Sequence, residues 1–411
     1  MKHSIAIIAL LAFSAASAQD NSQSQLRENP DMETTKREVY VAPKIDYPRY
    51  VNLRANHIDM NGDDWSDLAK KLNGSDTSRV TIVHIGDSHL QADMGTAVTR
   101  TRLGEHYGSA GRSLIVPFKL AGTNEPVDYT ITSSVPMTQA RLLKTPWPIE
   151  MGFTGIGISP QANDFDLCIS AGEPFDSLAI YYSGNTPEIV GDANDISDYS
   201  LPGIVQLKLN GPAIQTSINL TNGDNCVVHG INLINGHTGL AYHVIGNNGA
   251  TYGTYNGVDG FANDIALFDP ALIILSLGTN EAFNTTTNDE MRTSMKILVD
   301  DLRRACPGAK LLITTPSECQ RRRTRRRRRR ASFSVNQNVK RLRDVIEGFA
   351  RTEGIPCYDF YEVAGGTGSS NKWLRDKYLN TDRIHLTRSG YTLQGHLITE
   401  AIEEALNNSE K

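Results

Sequence analysis

The sequence is poor in cysteine, and the few cysteines that it has are scattered. No two of the five have the spacing of metal ligands, which argues against a zinc site. An odd number leaves at least one thiol unpaired, and the pairing of any disulfide cannot be read from the sequence. The five are Cys168, Cys226, Cys306, Cys319 and Cys357.

Long apolar runs are also absent, except for one at the start of the chain. Residues 1–18 resemble a secretory signal, with basic Lys2 and His3, an apolar stretch over residues 5–13 and small residues at 16–18. No cysteine follows that stretch, which argues against a lipid anchor. No later segment approaches the roughly 20 apolar residues needed to cross a bilayer. We therefore expect a secreted or periplasmic protein with no membrane span.

Basic residues are scarce outside a single run. Nine of the ten residues 321–330 are arginine; without them 32 Lys and Arg face 46 Asp and Glu, a net charge of −14. The simplest interpretation is a solvated, self-repelling loop. The alternative is electrostatic capture of an anionic cell-wall polymer, with Arg325 and Arg326 as possible substrate-binding residues. An exported and otherwise acidic protein is a poor partner for nucleic acid.

Two patterns of secondary structure divide the rest of the chain. Residues 79–112 and 239–411 predict strands that alternate with helices, beginning with a strand at 80–85 and a helix at 90–106. Residues 113–238 show short alternating runs between Gly, Pro, Asn and Asp clusters, which predict an inserted all-β sandwich. The predicted fold class is α/β, a parallel sheet with helices on both faces, interrupted by this insert. Residues 19–78 predict a lead with one short helix.

Three residue types suited to hydrolysis occur at the ends of these elements. Ser88 ends the run Gly86-Asp87-Ser88 directly after the first strand, and Asp382 precedes His385 near the C-terminus. A serine hydroxyl becomes a useful nucleophile when an imidazole takes its proton and a carboxylate orients that imidazole. Taken alone, however, Asp-Ser after a strand is equally an ordinary helix cap.

Amide donors follow the next two strands of the predicted sheet. The second strand ends in Gly246-Asn247-Asn248-Gly249-Ala250-Thr251, and the third ends in Gly278-Thr279-Asn280-Glu281. Ligand sites in parallel sheets lie at the carboxyl ends of strands, so both would share an edge with Ser88. His89 is a possible substrate-binding residue at the same edge.

The four short motifs that contain Ser88, Gly249, Asn280 and the pair Asp382 and His385 resemble the four sequence blocks of the SGNH hydrolases, also called the GDSL family of esterases. The resemblance implies a flavodoxin-like fold and a serine esterase with no metal or organic cofactor. It also implies that Ser88 attacks an ester carbonyl, that His385 acts as general base and that Asp382 orients the imidazole. The oxyanion hole would consist of the N–H groups of Ser88 and Gly249 and the side-chain amide of Asn280.

The sequence departs from the family pattern in two blocks. Glu281 stands where the family has a shorter aspartate. The second block lacks the serine that often precedes its glycine, which leaves Gly246 as an alternative to Gly249.

The number of residues between the first two motifs points to one subgroup of this family. Ser88 and Gly249 are 161 residues apart, a layout that resembles exported peptidoglycan O-acetylesterases with a carbohydrate-binding-like β-sandwich inserted at this point. That likeness implies removal of O-acetyl groups from a polysaccharide, foremost the C6 O-acetyl of muramic acid in peptidoglycan, through an acetyl-serine intermediate. Three alternatives remain open: an acetylxylan-type or other glycan acetylesterase, a lipase or thioesterase of the same family, and a non-catalytic glycan-binding protein.

Overall fold

The structure is a computed structural model that describes residues 44–190, 203–236, 238–323 and 332–409. These residues belong to one compact unit, Ala42–Lys411. The predicted signal, residues 1–18, therefore lies outside the described residues. Within the described ranges, no helix has the length and apolar character to span a membrane.

The first elements lead to the end of one buried strand. A 3-10 turn at Leu53–Ala55 precedes helix α1 (Ser66–Asn73), whose Leu68, Ala69 and Leu72 face the core. Strand β1 (Arg79–Gly86) is buried over nearly its whole length, as expected of a central parallel strand. Helices α2 (Ser88–Gln91) and α3 (Met94–Tyr107) follow it.

The next eight strands form the inserted region and pair antiparallel throughout. They are β2 (Ser113–Ile115), β3 (Tyr129–Thr132), β4 (Met137–Arg141), β5 (Ile156–Pro160), β6 (Phe165–Gly184), β7 (Glu188–Ile189), β8 (Ile204–Thr221) and β9 (Cys226–Ile234). The order is β4-β5-β9-β6-β8-β7, with β2 beside β9 and β3 beside β6. The predicted all-β insertion is confirmed.

The chain then returns to alternating strands and helices. These elements are β10 (Gly239–Gly246), α4 (Tyr252–Asn256), α5 (Phe261–Ala266), β11 (Pro270–Ser276), α6 (Asn288–Ala305), β12 (Lys310–Thr314), β13 (Gln320–Arg323), β14 (Ser332–Val335), α7 (Gln337–Glu353), β15 (Cys357–Tyr358), α8 (Phe360–Val363), α9 (Ser369–Arg375) and α10 (Arg388–Ser409). Strands β13 and β14 form an antiparallel hairpin.

The central sheet has the order β10-β1-β11-β12-β15, and all its strands run parallel. Successive side chains of a strand point to opposite faces. Ile82 therefore joins the cluster that contains α1 and α10, whereas Val83 joins the cluster that contains α6, α7 and the insert. The predicted parallel sheet with helices on both faces is confirmed.

The helix predicted over residues 90–106 is interrupted in the structure. Asp93 separates α2 from α3 and has a φ of +51°, in the left-handed region. Its carboxylate binds Arg112 at 2.6 Å and Arg100 at 2.8 Å. These buried ion pairs, which the local sequence pattern does not signal, hold the side chain inward and break the helix there.

None of the five cysteines forms a disulfide, and all of them lie in the described ranges. Four are buried, and burial raises the pKa of the Cys226 and Cys319 thiols to about 12. These two thiols are therefore protonated at neutral pH and shielded from oxidants.

The buried ion pairs of Asp93 predict a large loss of stability on substitution. Burial disfavours its charge, but Arg100 and Arg112 outweigh that cost and hold the pKa of Asp93 below its ordinary value. Asp93→Ala leaves both arginines without this partner, so we expect the free energy of unfolding to fall by about 3–5 kcal/mol. Urea denaturation measures this, with Asp301→Ala as the control because Asp301 pairs with Arg304 at the surface. Equal effects of the two substitutions would contradict the prediction.

Candidate active site

Ser88 lies at the start of α2, immediately beyond the carboxyl end of β1. A Cβ on Gly86 would lie 2.7 Å from the carbonyl oxygen of Ser276, so only glycine lets the chain turn this closely. Asp87 caps the helix, because its Oδ1 accepts the His89 N–H at 2.9 Å. The turn leaves the Ser88 side chain half-buried at the rim of the sheet.

Three side chains form a continuous hydrogen-bonded line at this rim. Ser88 Oγ lies 2.8 Å from His385 Nε2, and His385 Nδ1 lies 2.7 Å from Asp382 Oδ2. The other oxygen of Asp382 accepts the N–H groups of Ile384 at 2.9 Å and His385 at 3.0 Å. Burial opposes ionisation of Asp382, but these hydrogen bonds and His385 lower its pKa below the ordinary value. The geometry is that of a nucleophile, a base and an orienting acid.

The turn after β10 brings a second set of groups to the same rim. Gly249 has a φ of +85° and is half-buried, whereas Gly246 is buried in β10. A Cβ on Gly246 would lie 2.5 Å from the backbone nitrogen of Gln91, so that glycine serves close packing under α2. Within the described residues, the backbone N–H groups of Ser88 and Gly249 donate to no acceptor. Both are therefore available to an oxygen atom bound at the rim.

Asn280 follows β11 and uses its side-chain amide inside the protein. Its Nδ2 donates to the carbonyl oxygen of Ala250 at 2.9 Å and to Asp87 Oδ2 at 3.2 Å. Both protons of the amide therefore have acceptors, and a contact with an oxyanion would replace or share the longer bond to Asp87.

Two buried carboxyl groups lie beside Asn280. Asp87 is 1% exposed and Glu281 is 3% exposed, and burial raises the pKa of each to about 7. Glu281 Oε1 accepts the Tyr252 N–H at 2.9 Å, at the start of α4. The glutamate that replaces the family's aspartate thus joins the Asn280 turn to a neighbouring helix.

The ring of His89 packs against the ring of His385. Its ring centroid is 5.3 Å from that of His385, and its Nδ1 lies 3.1 Å from the Tyr391 hydroxyl. Burial and the nearby His385 lower the pKa of His89 to about 3, so the ring is neutral at physiological pH. His84 lies in β1, where its Nδ1 is 2.7 Å from the Tyr242 hydroxyl oxygen and its Nε2 is 2.7 Å from Ser276 Oγ.

The arginine run is entered by a hairpin that the sequence pattern did not predict. Arg325 and Arg326 lie outside the described residues, but one end of the β13–β14 hairpin contacts the loop that carries Asp382 and His385, called the triad loop below. The Gln320 N–H donates to the Arg383 carbonyl at 2.9 Å, and the Arg383 guanidinium donates to Gln320 Oε1 at 2.7 Å. Arg383 also stacks 4.3 Å from the ring centroid of Phe333. No local signal in the sequence links residue 320 to residue 383.

Comparison with known sequences finds one related family. Residues 230–393 match the sequence profile of a family described as GDSL-like Lipase/Acylhydrolase. Over this range the chain is similar to that family, which supports an esterase. The matched range contains Gly249, Asn280, Asp382 and His385, whereas Ser88 precedes it, on the other side of the insert. No curated protein matches the chain at a significant level.

Solved structures extend the fold comparison to most of the chain. A structure titled "Peptidoglycan O-acetylesterase in action, 5 min" is 18% identical, covers 87% of this chain and 98% of its own, and has a TM-score of 0.66. A GDSL-like lipase from Bacteroides thetaiotaomicron is 23% identical over 40% of this chain and 76% of its own, with a TM-score of 0.31. The acetyl xylan esterase AlAXEase is 15% identical over 40% and 81%, with a TM-score of 0.32. The first shares the fold along nearly its whole length.

The buried carboxyl of Glu281 predicts a pH dependence of stability. The folded protein keeps its proton up to about pH 7, whereas the unfolded chain loses it near 4.5, so unfolding releases a proton in this interval. The free energy of unfolding should therefore fall as pH rises from about 4.5 to 7. Glu281→Gln removes the titration, and we expect its stability to fall less over this interval, by on the order of 1–3 kcal/mol. Denaturant titrations at pH 5 and pH 8 measure the difference.

The exposed Glu404→Gln substitution is the control, and it should leave the pH dependence of the parent unchanged. Parallel pH profiles for Glu281→Gln and the parent would contradict the prediction.

Proposed function

We propose that this esterase is an exported serine O-acetylesterase that removes acetyl groups from a polysaccharide, foremost the C6 O-acetyl of muramic acid in peptidoglycan. The observation that carries the proposal is the line from Ser88 Oγ to His385 Nε2 at 2.8 Å and from His385 Nδ1 to Asp382 at 2.7 Å. It lies at the carboxyl end of a parallel sheet, where such folds place their sites.

The first half of the reaction transfers the acetyl group to the enzyme. Ser88 Oγ attacks the acetyl carbonyl carbon while His385 Nε2 takes the hydroxyl proton. The tetrahedral intermediate then collapses, the bond between the carbonyl carbon and the sugar oxygen breaks, and His385 gives the proton to that oxygen. The products are a free sugar hydroxyl and an acetyl ester on Ser88.

The second half regenerates the enzyme with water. His385 takes a proton from a water molecule as the water attacks the acetyl carbon, and returns it to Ser88 Oγ as the ester bond breaks. Acetate leaves. Asp382 stays ionised throughout, accepts a hydrogen bond from the His385 Nδ1–H group and stabilises the imidazolium that forms in each half.

The negative charge on the carbonyl oxygen requires donors that are already in place. The N–H groups of Ser88 and Gly249 are the donors that we assign, because neither has another acceptor within the described residues. Asn280 would supply the third by giving up its 3.2 Å bond to Asp87. Fixed donors of this kind are commonly worth about 2.7–4 kcal/mol each in serine hydrolases.

The choice of an acetylated glycan rests on the layout of the chain. The all-β insert lies between Ser88 and Gly249, and the structure titled as a peptidoglycan O-acetylesterase shares the fold over 87% of this chain. Export through residues 1–18 would bring the enzyme to such a substrate.

Acetate release from two polymers tests this proposal. We expect the parent to release acetate from O-acetylated peptidoglycan much faster than from acetylated xylan. Ser88→Ala should lower the rate on the preferred polymer by at least about a thousandfold, and Asp382→Asn by a similar order, because each removes a member of one catalytic unit.

Ser217→Ala, which changes an exposed serine of the insert, is the matched control and should keep parent activity. Preference for xylan would replace the polymer named here, whereas parent-like activity in Ser88→Ala would remove the serine mechanism. Faster hydrolysis of octanoyl than of acetyl esters would favour a lipase instead.

The arginine run is proposed to hold an anionic cell-wall polymer near the triad loop. Replacing residues 325–330 with serine should weaken binding to sedimented anionic cell walls at least tenfold at low salt, and added salt should weaken parent binding. Arg292→Ser with Arg304→Ser is the control, since both arginines are exposed elsewhere on the surface. Unchanged binding after removal of the run would leave it a solvated loop.

A further inference from the structure

The insert accepts hydrogen bonds from two successive residues of the turn that carries Gly249, and Leu143 of the insert lies beside Gly249 itself. Asn247 Nδ2 donates to the carbonyl oxygen of Thr154 at 2.9 Å, just before β5. Asn248 Nδ2 donates to Asn124 Oδ1 at 2.8 Å, between β2 and β3. A Cβ on Gly249 would lie 3.4 Å from Leu143 Cγ.

The fit between the insert and the turn is close. Gly155 follows Thr154 and has a φ of +73°, and a Cβ there would lie 2.3 Å from Asn247 Nδ2. The two regions therefore meet through shaped surfaces and directed hydrogen bonds.

Gln91 joins this contact to the helix that begins with Ser88. It is the last residue of α2 and is 3% exposed. Its Oε1 accepts the Asn248 N–H at 2.8 Å, and its Nε2 donates to Thr123 Oγ1 at 2.9 Å and to the backbone oxygen of Asn124 at 2.8 Å. One buried amide thus connects α2, the Gly249 turn and the insert.

The consequence for Gly249 is geometric. The peptide that carries its N–H follows Asn248 directly, and Asn248 is fixed by Gln91 through its backbone and by Asn124 through its side chain. The turn is closed on its other side by the Ala250 N–H, which donates to the Asn247 carbonyl at 3.0 Å. An oxyanion donor must be aimed before the charge forms, and an error of about 1 Å can cost a hundredfold in rate.

We propose that the insert is a working part of the esterase site, with Gln91 as the positioning residue through which Asn124 and Thr123 hold the Asn248–Gly249 peptide in place. This rests on the oxyanion role proposed above for Gly249. It gives the insert a task that is independent of any binding of glycan.

A small ester separates this task from glycan binding. 4-Nitrophenyl acetate has no sugar. If the insert only binds polymer, substitutions that remove these contacts should leave the rate of hydrolysis of this ester unchanged. We expect Gln91→Leu to lower kcat on this ester about 10- to 100-fold and Asn124→Ala to lower it about 3- to 10-fold. KM should stay within about threefold of the parent value for both variants. Gln91→Glu keeps the acceptor for the Asn248 N–H and replaces the donor toward the insert, so its kcat should lie between those of Gln91→Leu and the parent.

The reaction of Ser88 with a phosphonate ester gives a second readout, because negative charge then develops on a phosphoryl oxygen in the position that the carbonyl oxygen of an acetyl ester would occupy. Its rate should fall in the same order among the variants. The double variant Gln91→Leu with Asn124→Ala should be slower than Gln91→Leu alone but by less than the product of the two single effects, because Asn124 Oδ1 accepts from Gln91 Nε2 at 2.9 Å and also from Asn248 Nδ2 at 2.8 Å. Asn185→Ala, whose amide donates only to a backbone oxygen within the insert, is the matched control and should keep parent values.

The outcomes distinguish this inference from the proposed function. A parent without Ser88-dependent hydrolysis would remove the proposed function itself. With an active parent, unchanged kcat in Asn124→Ala and Gln91→Glu, or a rise in KM alone, would overturn the positioning role. Asn124 is exposed, so its substitution decides the matter even where Gln91→Leu does not fold.

Discussion

The site depends on the close approach of α2 to the ends of two strands. Gly86 ends β1 and Gly246 ends β10, and the two are paired in the sheet. A side chain at either position would collide with backbone atoms of Ser276 or of α2. Because both positions lack a side chain, the short helix rests directly on the sheet. That contact fixes the position and direction of the Ser88 side chain at the edge of the sheet, where His385 and the turn after β10 lie beside it.

The sequence predicted the parts of this arrangement that have a local pattern. Three short motifs can be recognised from the local sequence alone: a strand that ends in Gly-Asp-Ser, a strand that ends in Gly-Thr-Asn, and an acid three residues before a histidine. The parallel sheet and the all-β insertion were predictable for the same reason, since the period of apolar residues changes along the chain. The geometry also separates two candidates that sequence left open, because Gly246 is buried under α2 whereas Gly249 is open to the rim.

The remaining features come from contacts between distant segments. Asp93 interrupts a helix pattern because Arg100 and Arg112 reach it from further along the chain. The hairpin that flanks the arginine run pairs Gln320–Arg323, whose adjacent like charges predict no strand, with Ser332–Val335, and it is tied to the triad loop through Gln320 and Arg383. Gln91 looks like an ordinary helix residue in sequence, since its partners are 32 to 157 positions away.

The contact between the insert and the turn after β10 bears on how such a chain can be recombined. A module joined by a plain linker can be exchanged for another of similar size, but here Thr154, Asn124 and Leu143 complete a surface that begins on the hydrolase side. Exchanging the insert alone would remove the acceptors that Thr154 and Asn124 supply to the side-chain amides of Asn247 and Asn248. Transplantation in the laboratory must therefore move the turn, Gln91 and the insert loops together, and divergence of one implies compensating change in the others.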